Sequence, residues 1–248
     1  VSSHIPNRFD EGYGLNTDSL KSLQEQGANL LVTVDCGVRA TTEAAYAHEI
    51  GLDLVITDHH SVPEILPQAV AVVDAKQSDC AYPFKEHAGV GVAYSTVRAL
   101  YAAWNIRHPA NVPLDANELL DLVAVGTVAD MVPLDGENRI LVQQGLKRIA
   151  EKPRPGIAAL IQVSGTKPTD IDASTIAFRL APRLNAMGRL EHAGTSFDLL
   201  RAKTPEEANE LANQLDETNR QRQDMLSEQV STAENLVEPT TDRLFFAY

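Results

Sequence analysis

The chain is short of cysteine, of aromatic residues and of positive charge. It has two cysteines, Cys36 and Cys80, in segments of different kinds and with no CxxC spacing. That excludes a disulfide framework and a thiolate zinc site, and it leaves two unpaired thiols that pack as small apolar groups. No run approaches the roughly 18 apolar residues of a membrane span, and no signal peptide is visible, so no membrane partner is expected and the expected location is cytoplasmic. Lys and Arg number 21 against 34 Asp and Glu, for a net charge of -13. A broad phosphate-coating surface is excluded by that balance, because such surfaces are built from Lys and Arg. A local anion site is not, since a bound divalent cation reverses the charge of a carboxylate cluster.

What is present is an ordinary globular composition, with 44% hydrophobic residues over 248 positions, enough for one large domain or one domain and part of another. The first part alternates. NTDSLKSLQEQG from Asn16 reads as a capped helix, NLLVTVDCG as a strand, TTEAAYAHEIG as a helix, LDLVITDHH as a second strand and AVAVVDA as a third. Short continuous apolar runs separated by helices predict an α/β fold with a parallel sheet flanked by helices. From Gly89 onward the pattern is helical. GVGVAYSTVRALYAAW is one helix, with Tyr101 and Trp104 on its core face, and NELLDLVAVGTVADMVPL is another, stopped by Pro133. The stretch beginning DASTIAFRLAPRLNAMGRL is expected to break at Pro182. From Pro205 to about Val237 no breaker occurs, which predicts a long connector helix, and DRLFFAY reads as a further strand. The expected organisation is 1–165 as the α/β domain, 166–237 as a helical region with the connector, and 238–248 as the first strand of another domain. The chain starts at Val1 and stops in LFFAY, which reads as a fragment cut at both ends. There is no internal repeat.

Parallel sheets bind ligands beyond the carboxyl ends of their strands. Asp35 ends one strand, and Asp58, His59 and His60 end the next, so they should be neighbours. Asp130 closes an apolar helix just before Pro133. Carboxylates converging with imidazole suit Mn²⁺ or Mg²⁺ better than structural zinc. The bland reading of Asp35 alone is a helix cap. Gly89 and Gly91 precede a helix, where backbone N–H groups can meet a phosphate or where glycine simply allows close packing. Cys36, beside Asp35, packs as a small apolar group.

Several ordered blocks carry a resemblance. TDHH, the aspartate of TVDCG and the run GTVADMVPLDGENRILVQQGL, with HIPNRFDEGYGL, DCAYPFKEHAGVGVA and PRLNAMGRL, resemble the DHH phosphoesterases, and among them the bacterial exonucleases specific for single-stranded DNA. The resemblance implies a DHH phosphoesterase domain that degrades single-stranded DNA 5′→3′ with two metal ions, in repair and recombination. It implies that Asp35 bridges both ions, that His59 and Asp130 bind one, that Asp58 supports His59, and that His60 lies against the scissile phosphate. Arg183, Asn185 and Arg189 match a block bordering the single-strand path, or they brace a helix break. Arg8 would hold a terminal phosphate, or pair with Asp10 or Glu11. Single-stranded DNA is the expected partner, with a single-strand-binding protein and a helicase as protein partners. Two departures stand out: VVDAK replaces the usual asparagine–proline pair, and His87 occupies a place to which no function attaches. The family's aspartate-rich first motif would lie ahead of the IPNR block, so this polypeptide alone is expected to be inactive. Alternatives are a relative acting on short oligonucleotides or cyclic dinucleotides, and a non-catalytic scaffold.

Overall fold

Asn16 caps the first helix, α1 (Thr17–Glu25), by accepting from the Ser19 N–H at 2.8 Å. The chain then alternates as its pattern predicts: β1 (Leu30–Val34), α2 (Thr41–Glu49), β2 (Asp53–Thr57) and β3 (Ala71–Val73). The computed structural model describes residues 1–6, 12–111, 113, 115–190 and 193–236; the side chains of 187–190, 235 and 236 are outside that description. Arg8 and the strand expected over 238–248 therefore lie outside the described residues, as does the side chain of Arg189.

The three strands form a parallel sheet in the order β1-β2-β3, with Leu31 opposite Leu54 and Ile56 opposite Val72. Parallel pairing needs crossover connections, and α2 supplies the first. Leu31, Leu54, Ile56 and Val72 share one face of the sheet and pack against Ala44 of α2, while Leu20 of α1 meets Ala47 and Leu52 beside them. The alternate residues Leu30, Val32 and Val34 face the other way and are exposed. Because the strands are parallel, all three carboxyl ends lie on one edge, and Asp35, Asp58 and Asp74 follow those ends in turn.

The helical part comprises α3 (Gly89–Arg107), α4 (Leu120–Ala129), α5 (Gly136–Glu151), α6 (Pro155–Val163), the single turn α7 (Ala173–Thr175), α8 (Ala181–Leu190), α9 (Gly194–Arg201) and α10 (Pro205–Leu236). Its core joins Val125, Ile149, Leu160, Ile176, Leu199 and Leu215, drawn from segments on both sides of residue 165. Gly145 permits a close crossing of α5 on α4, since a Cβ there would overlap the Leu120 carbonyl. Asp121, fully buried, pairs with Arg154 at 2.6 Å. No helix among the described residues is long and apolar enough to cross a membrane.

Four expectations are corrected. The helix does not break at Pro182: a π turn over Ile176–Leu180, closed by the Ala181 N–H to the Ile176 carbonyl, widens the helix just ahead of the proline and spares the Phe178 carbonyl a clash with the ring. Pro133 does not end α4. The helix stops at Ala129, and Met131 turns the chain away with a left-handed φ of 59°. Trp104 is not core; it is 44% exposed, with its ring 4.0 Å from that of His108, because α3 extends past the elements that cover its first half. Both cysteines are free, but each is half-buried rather than enclosed. Tyr101 does pack, half-buried, on the Tyr94 and Leu120 cluster.

Candidate metal centre

Asp35 extends the ladder by one bond beyond β1, its N–H donating to the Thr57 carbonyl at 3.0 Å. Its φ is then 65°, a left-handed conformation that aspartate tolerates better than most residues and that concentrates at functional sites. This turn puts the carboxylate against the first turn of α3, where a Cβ on Gly89 would overlap it. Gly91 is explained in the same way, since a Cβ there would lie 2.8 Å from the His87 ring. Both glycines thus serve close packing in this structure.

His59 enters from the end of β2. Its Nδ1 lies 2.9 Å from the His87 carbonyl oxygen. A carbonyl only accepts, so the proton sits on Nδ1, and Nε2 is left with a lone pair. That lone pair meets Asp35 Oδ1 at 3.0 Å and Asp130 Oδ2 at 3.5 Å. Three segments far apart in sequence converge on one atom. Nε2 of His59 and Oδ1 of Asp35 are buried with no hydrogen bond of acceptable geometry despite their proximity. Lone pair against carboxylate is repulsive unless a proton or a cation stands between them. The Asp35 carboxylate 3.0 Å away, opposed by burial and helped by the charge of Asp130, raises the His59 pKa. Burial, reinforced by the charge of Asp35 and opposed by His59, raises the Asp130 carboxyl.

Asp58 has a different role. It is 1% exposed, and it accepts from the backbone N–H groups of Val38 (2.9 Å), His59 (2.7 Å) and His60 (3.3 Å) and from the His60 ring Nδ1 (2.7 Å). Burial pushes its carboxyl up, but these donors outweigh it and leave the group below the ordinary aspartate range. The ring Asp58 orients is therefore that of His60; it reaches His59 only through the backbone. His60, with Nδ1 held, is half-exposed at the mouth of a cleft of about 430 Å³ that also includes Tyr13, Cys36, Arg39 and Glu43. Ligand atoms of Asp35, His59 and His60 all lie within 4.8 Å of one another. Burial, with Asp58 and Asp35 nearby, pushes the Cys36 thiol up to about 11, so it is no nucleophile here. Asp74, ending β3, is buried with Oδ2 unpartnered, and burial raises its carboxyl.

Of the other expected site residues, Arg183 and Asn185 are described, and neither joins this cluster by a bond. Arg183 lies along the π-bulged helix, with Nε on Asp216 at 2.8 Å and Nη1 on the Arg179 carbonyl at 2.6 Å. The Arg183–Asp216 pair fastens α8 to α10, and Asp216 also holds Arg220 of the same helix α10 at 2.7 Å. Asn185 is exposed. Sequence reasoning missed the part played by His87 and by the start of α5. His87 is 3% exposed and orients His59 through its backbone oxygen, a role that leaves no signature in the residue type.

Beyond the carboxyl ends of a parallel sheet, carboxylates that meet a buried, unsatisfied imidazole nitrogen offer a donor set suited to a divalent cation. Residues 1–127 match the family described as "DHH family, N-terminal domain", and the chain belongs to that family. Within it, the chain is 44% identical over 96% of its length to the single-stranded-DNA-specific exonuclease RecJ of Bacillus subtilis, and 43% identical over 96% to RecJ of Salmonella typhimurium. It covers 29% and 42% of those two proteins, so it spans well under half of either. A crystal structure of exonuclease RecJ bound to manganese superposes with a TM-score of 0.81 at 33% identity, over 95% of this chain and 58% of that one. RecJ of Thermus thermophilus in complex with Mn²⁺ gives 0.75 at 31% identity, over 90% of this chain and 32% of that one. The same protein is also solved with Mg²⁺. The α/β fold, the helical C-terminal region and the kinship with manganese- and magnesium-binding RecJ proteins thus agree with the sequence reading.

Proposed function

We propose that the chain is the metal-binding part of an exonuclease that hydrolyses phosphodiester bonds of single-stranded DNA 5′→3′, in repair and recombination. The observation that supports this most is that carboxylate oxygens of Asp35 and Asp130 both approach the unsatisfied His59 Nε2, at 3.0 and 3.5 Å. The donor set fits Mn²⁺ or Mg²⁺: one borderline nitrogen with a fixed tautomer and two carboxylates. His59, Asp35 and Asp130 would hold the ion. A bound divalent cation neutralises charge on a phosphoryl oxygen and lowers the pKa of water.

The chain's own groups do the rest. Asp35 has a second carboxylate oxygen and, unlike His59, can serve two ions. Asp58 holds the His60 ring through Nδ1, and His60, which lines the cleft, would lie against the scissile phosphate. Gly89 lets the start of α3 lie against Asp35, and the partial positive charge of that helix end steadies the carboxylate. Arg8, Arg183, Asn185 and Arg189 belong to the proposed single-strand path, and a single-strand-binding protein and a helicase are the proposed protein partners. Two ions need more donors than the described residues bring together, so the isolated chain is expected to be inactive and to bind metal weakly.

The test is Mn²⁺-dependent release of nucleotides from 5′-labelled single strands by the longer protein that contains this chain. Asp130→Ala should reduce the rate by several orders of magnitude, because it removes an ion rather than a contact. A longer protein that is inert on single strands but cleaves dimers or cyclic dinucleotides, or one in which Asp130→Ala keeps its rate, would overturn the reading.

A further inference from the structure

The centre is assembled from a β2 end, an α4 end and the loop before α3, and no sequence contact joins the last two. One side chain does. Asn138, in the first turn of α5, is fully buried. Its Nδ2 donates to the Glu86 carbonyl at 2.6 Å and to the Pro133 carbonyl at 3.0 Å. Glu86 immediately precedes His87, whose carbonyl fixes the His59 ring; Pro133 lies three residues beyond Asp130. Two carbonyls facing one amide require its NH2 side, so the assignment of nitrogen and oxygen is settled by the partners. The Asn138 Oδ1 is buried without a partner. An unpaired buried oxygen is a cost, and a residue chosen for stability alone would not carry it.

The rest of the α5 start reinforces the same loop. Glu137 accepts from Tyr82 Oη at 2.7 Å and lies 3.2 Å from His87 Nε2. Phe84 packs edge-on to His87 at 4.9 Å, and a Cβ on Gly136 would overlap Phe84. The loop from Tyr82 to His87 is thereby clamped onto α5 at several points, while among the described residues Asn138 alone bonds both to it and to the turn after Asp130.

We propose that Asn138 is a positioning residue for the metal centre: it ties the loop that orients His59 to the turn that carries Asp130, and so sets the spacing between these two ligands. This rests on the reading of the cluster as a cation site. Because Asn138 meets only backbone carbonyls, a substitution acts on ligand placement and not on ligand chemistry. Groups that orient metal-binding histidines are worth about 10–100-fold in affinity, and a group one step further back should account for roughly tenfold.

The experiment uses the full chain, selectively ¹⁵N-labelled at histidine, with Asn138→Ala, Asn138→Ser and Arg154→Ala. Serine fits the site and can donate to only one of the two carbonyls, so it is the milder change. Arg154→Ala breaks the buried pair with Asp121, away from the ligands, and controls for lost stability. Two quantities are read: Mn²⁺ affinity by electron paramagnetic resonance, and the His59 tautomer in the metal-free chain at alkaline pH by long-range ¹⁵N–¹H correlation. Wild type should show His59 protonated on Nδ1. Asn138→Ala should populate both tautomers and bind Mn²⁺ roughly tenfold more weakly, Asn138→Ser should fall between, and Arg154→Ala should match wild type in both. A folded Asn138 variant with wild-type affinity and tautomer overturns the proposal, as does an equal loss in Arg154→Ala. If wild type binds no Mn²⁺ the cation-site reading fails, and the tautomer comparison still decides whether Asn138 places His59.

Discussion

Replacing Gly89 by alanine adds one methyl group at the point where α3 meets the Asp35 carboxylate, a proposed metal ligand. The added Cβ would overlap the Oδ1, Cγ and Cβ atoms of Asp35. Asp35 cannot swing aside freely: its N–H is bonded to Thr57, its carbonyl accepts from Tyr13 Oη at 3.2 Å, and its φ is already left-handed. Nor can α3 retreat without disturbing Gly126 of α4, where a Cβ would already overlap Val90. Overpacking of this kind costs about 1–3 kcal/mol, and alanine recovers at most ~1 kcal/mol of helix propensity over glycine. The net loss should be about 1–2 kcal/mol, or a Tm lowered by roughly 2–8 °C for a domain of this size. The larger effect is on Asp35, whose displacement should weaken Mn²⁺ binding at least about tenfold. Urea denaturation and Mn²⁺ titration of the full chain read the two effects separately. If Gly89→Ala is as stable as wild type and binds Mn²⁺ equally, the close approach of α3 to Asp35 is wrong, and the glycine serves some other purpose.

Two further outcomes follow from buried charge. The carboxyl of Asp58 lies below the ordinary aspartate range in the folded state, so it stabilises the fold above the unfolded aspartate pKa, and that contribution fades as pH falls through the folded value; in acid denaturation Asp58→Asn should flatten this part of the profile while lowering stability at neutral pH. Arg154→Ala leaves Asp121 charged at 0% exposure and should cost about 3–5 kcal/mol in chemical denaturation; a loss below ~1 kcal/mol would mean that water reaches the carboxylate.

The meeting of Asp35, His59 and Asp130 was largely legible because such side chains are expensive to bury. Aspartate and histidine placed directly after apolar strands have no reason to be there as core, and parallel topology puts strand ends together, so Asp35 and His59 could be paired before any coordinates. Asp130 needed only the end of an apolar helix. Less legible was everything that depends on backbone groups. The His87 carbonyl that selects the His59 tautomer and the two carbonyls gripped by Asn138 carry no mark in residue type. Which ring Asp58 holds was hidden for a related reason: adjacent histidines are indistinguishable in sequence, and only the loop geometry decides that Asp58 takes the His60 ring and the His59 backbone N–H while the His59 ring turns to His87. Pro182 shows the opposite error, where a strong local rule yields to a π turn that the surrounding core holds in place. Met131 shows that a helix end need not wait for a proline: the chain turns left-handed one residue after Asp130, two residues before Pro133.

The most direct test is the position of manganese. Crystals of the chain soaked in Mn²⁺ and measured at the manganese absorption edge should show an anomalous peak within coordination distance of His59 Nε2, one oxygen of Asp35 and one of Asp130. A peak elsewhere, or His59 Nε2 still facing Asp35 with no metal between them at saturating Mn²⁺, would contradict the claim that these three residues form a cation site.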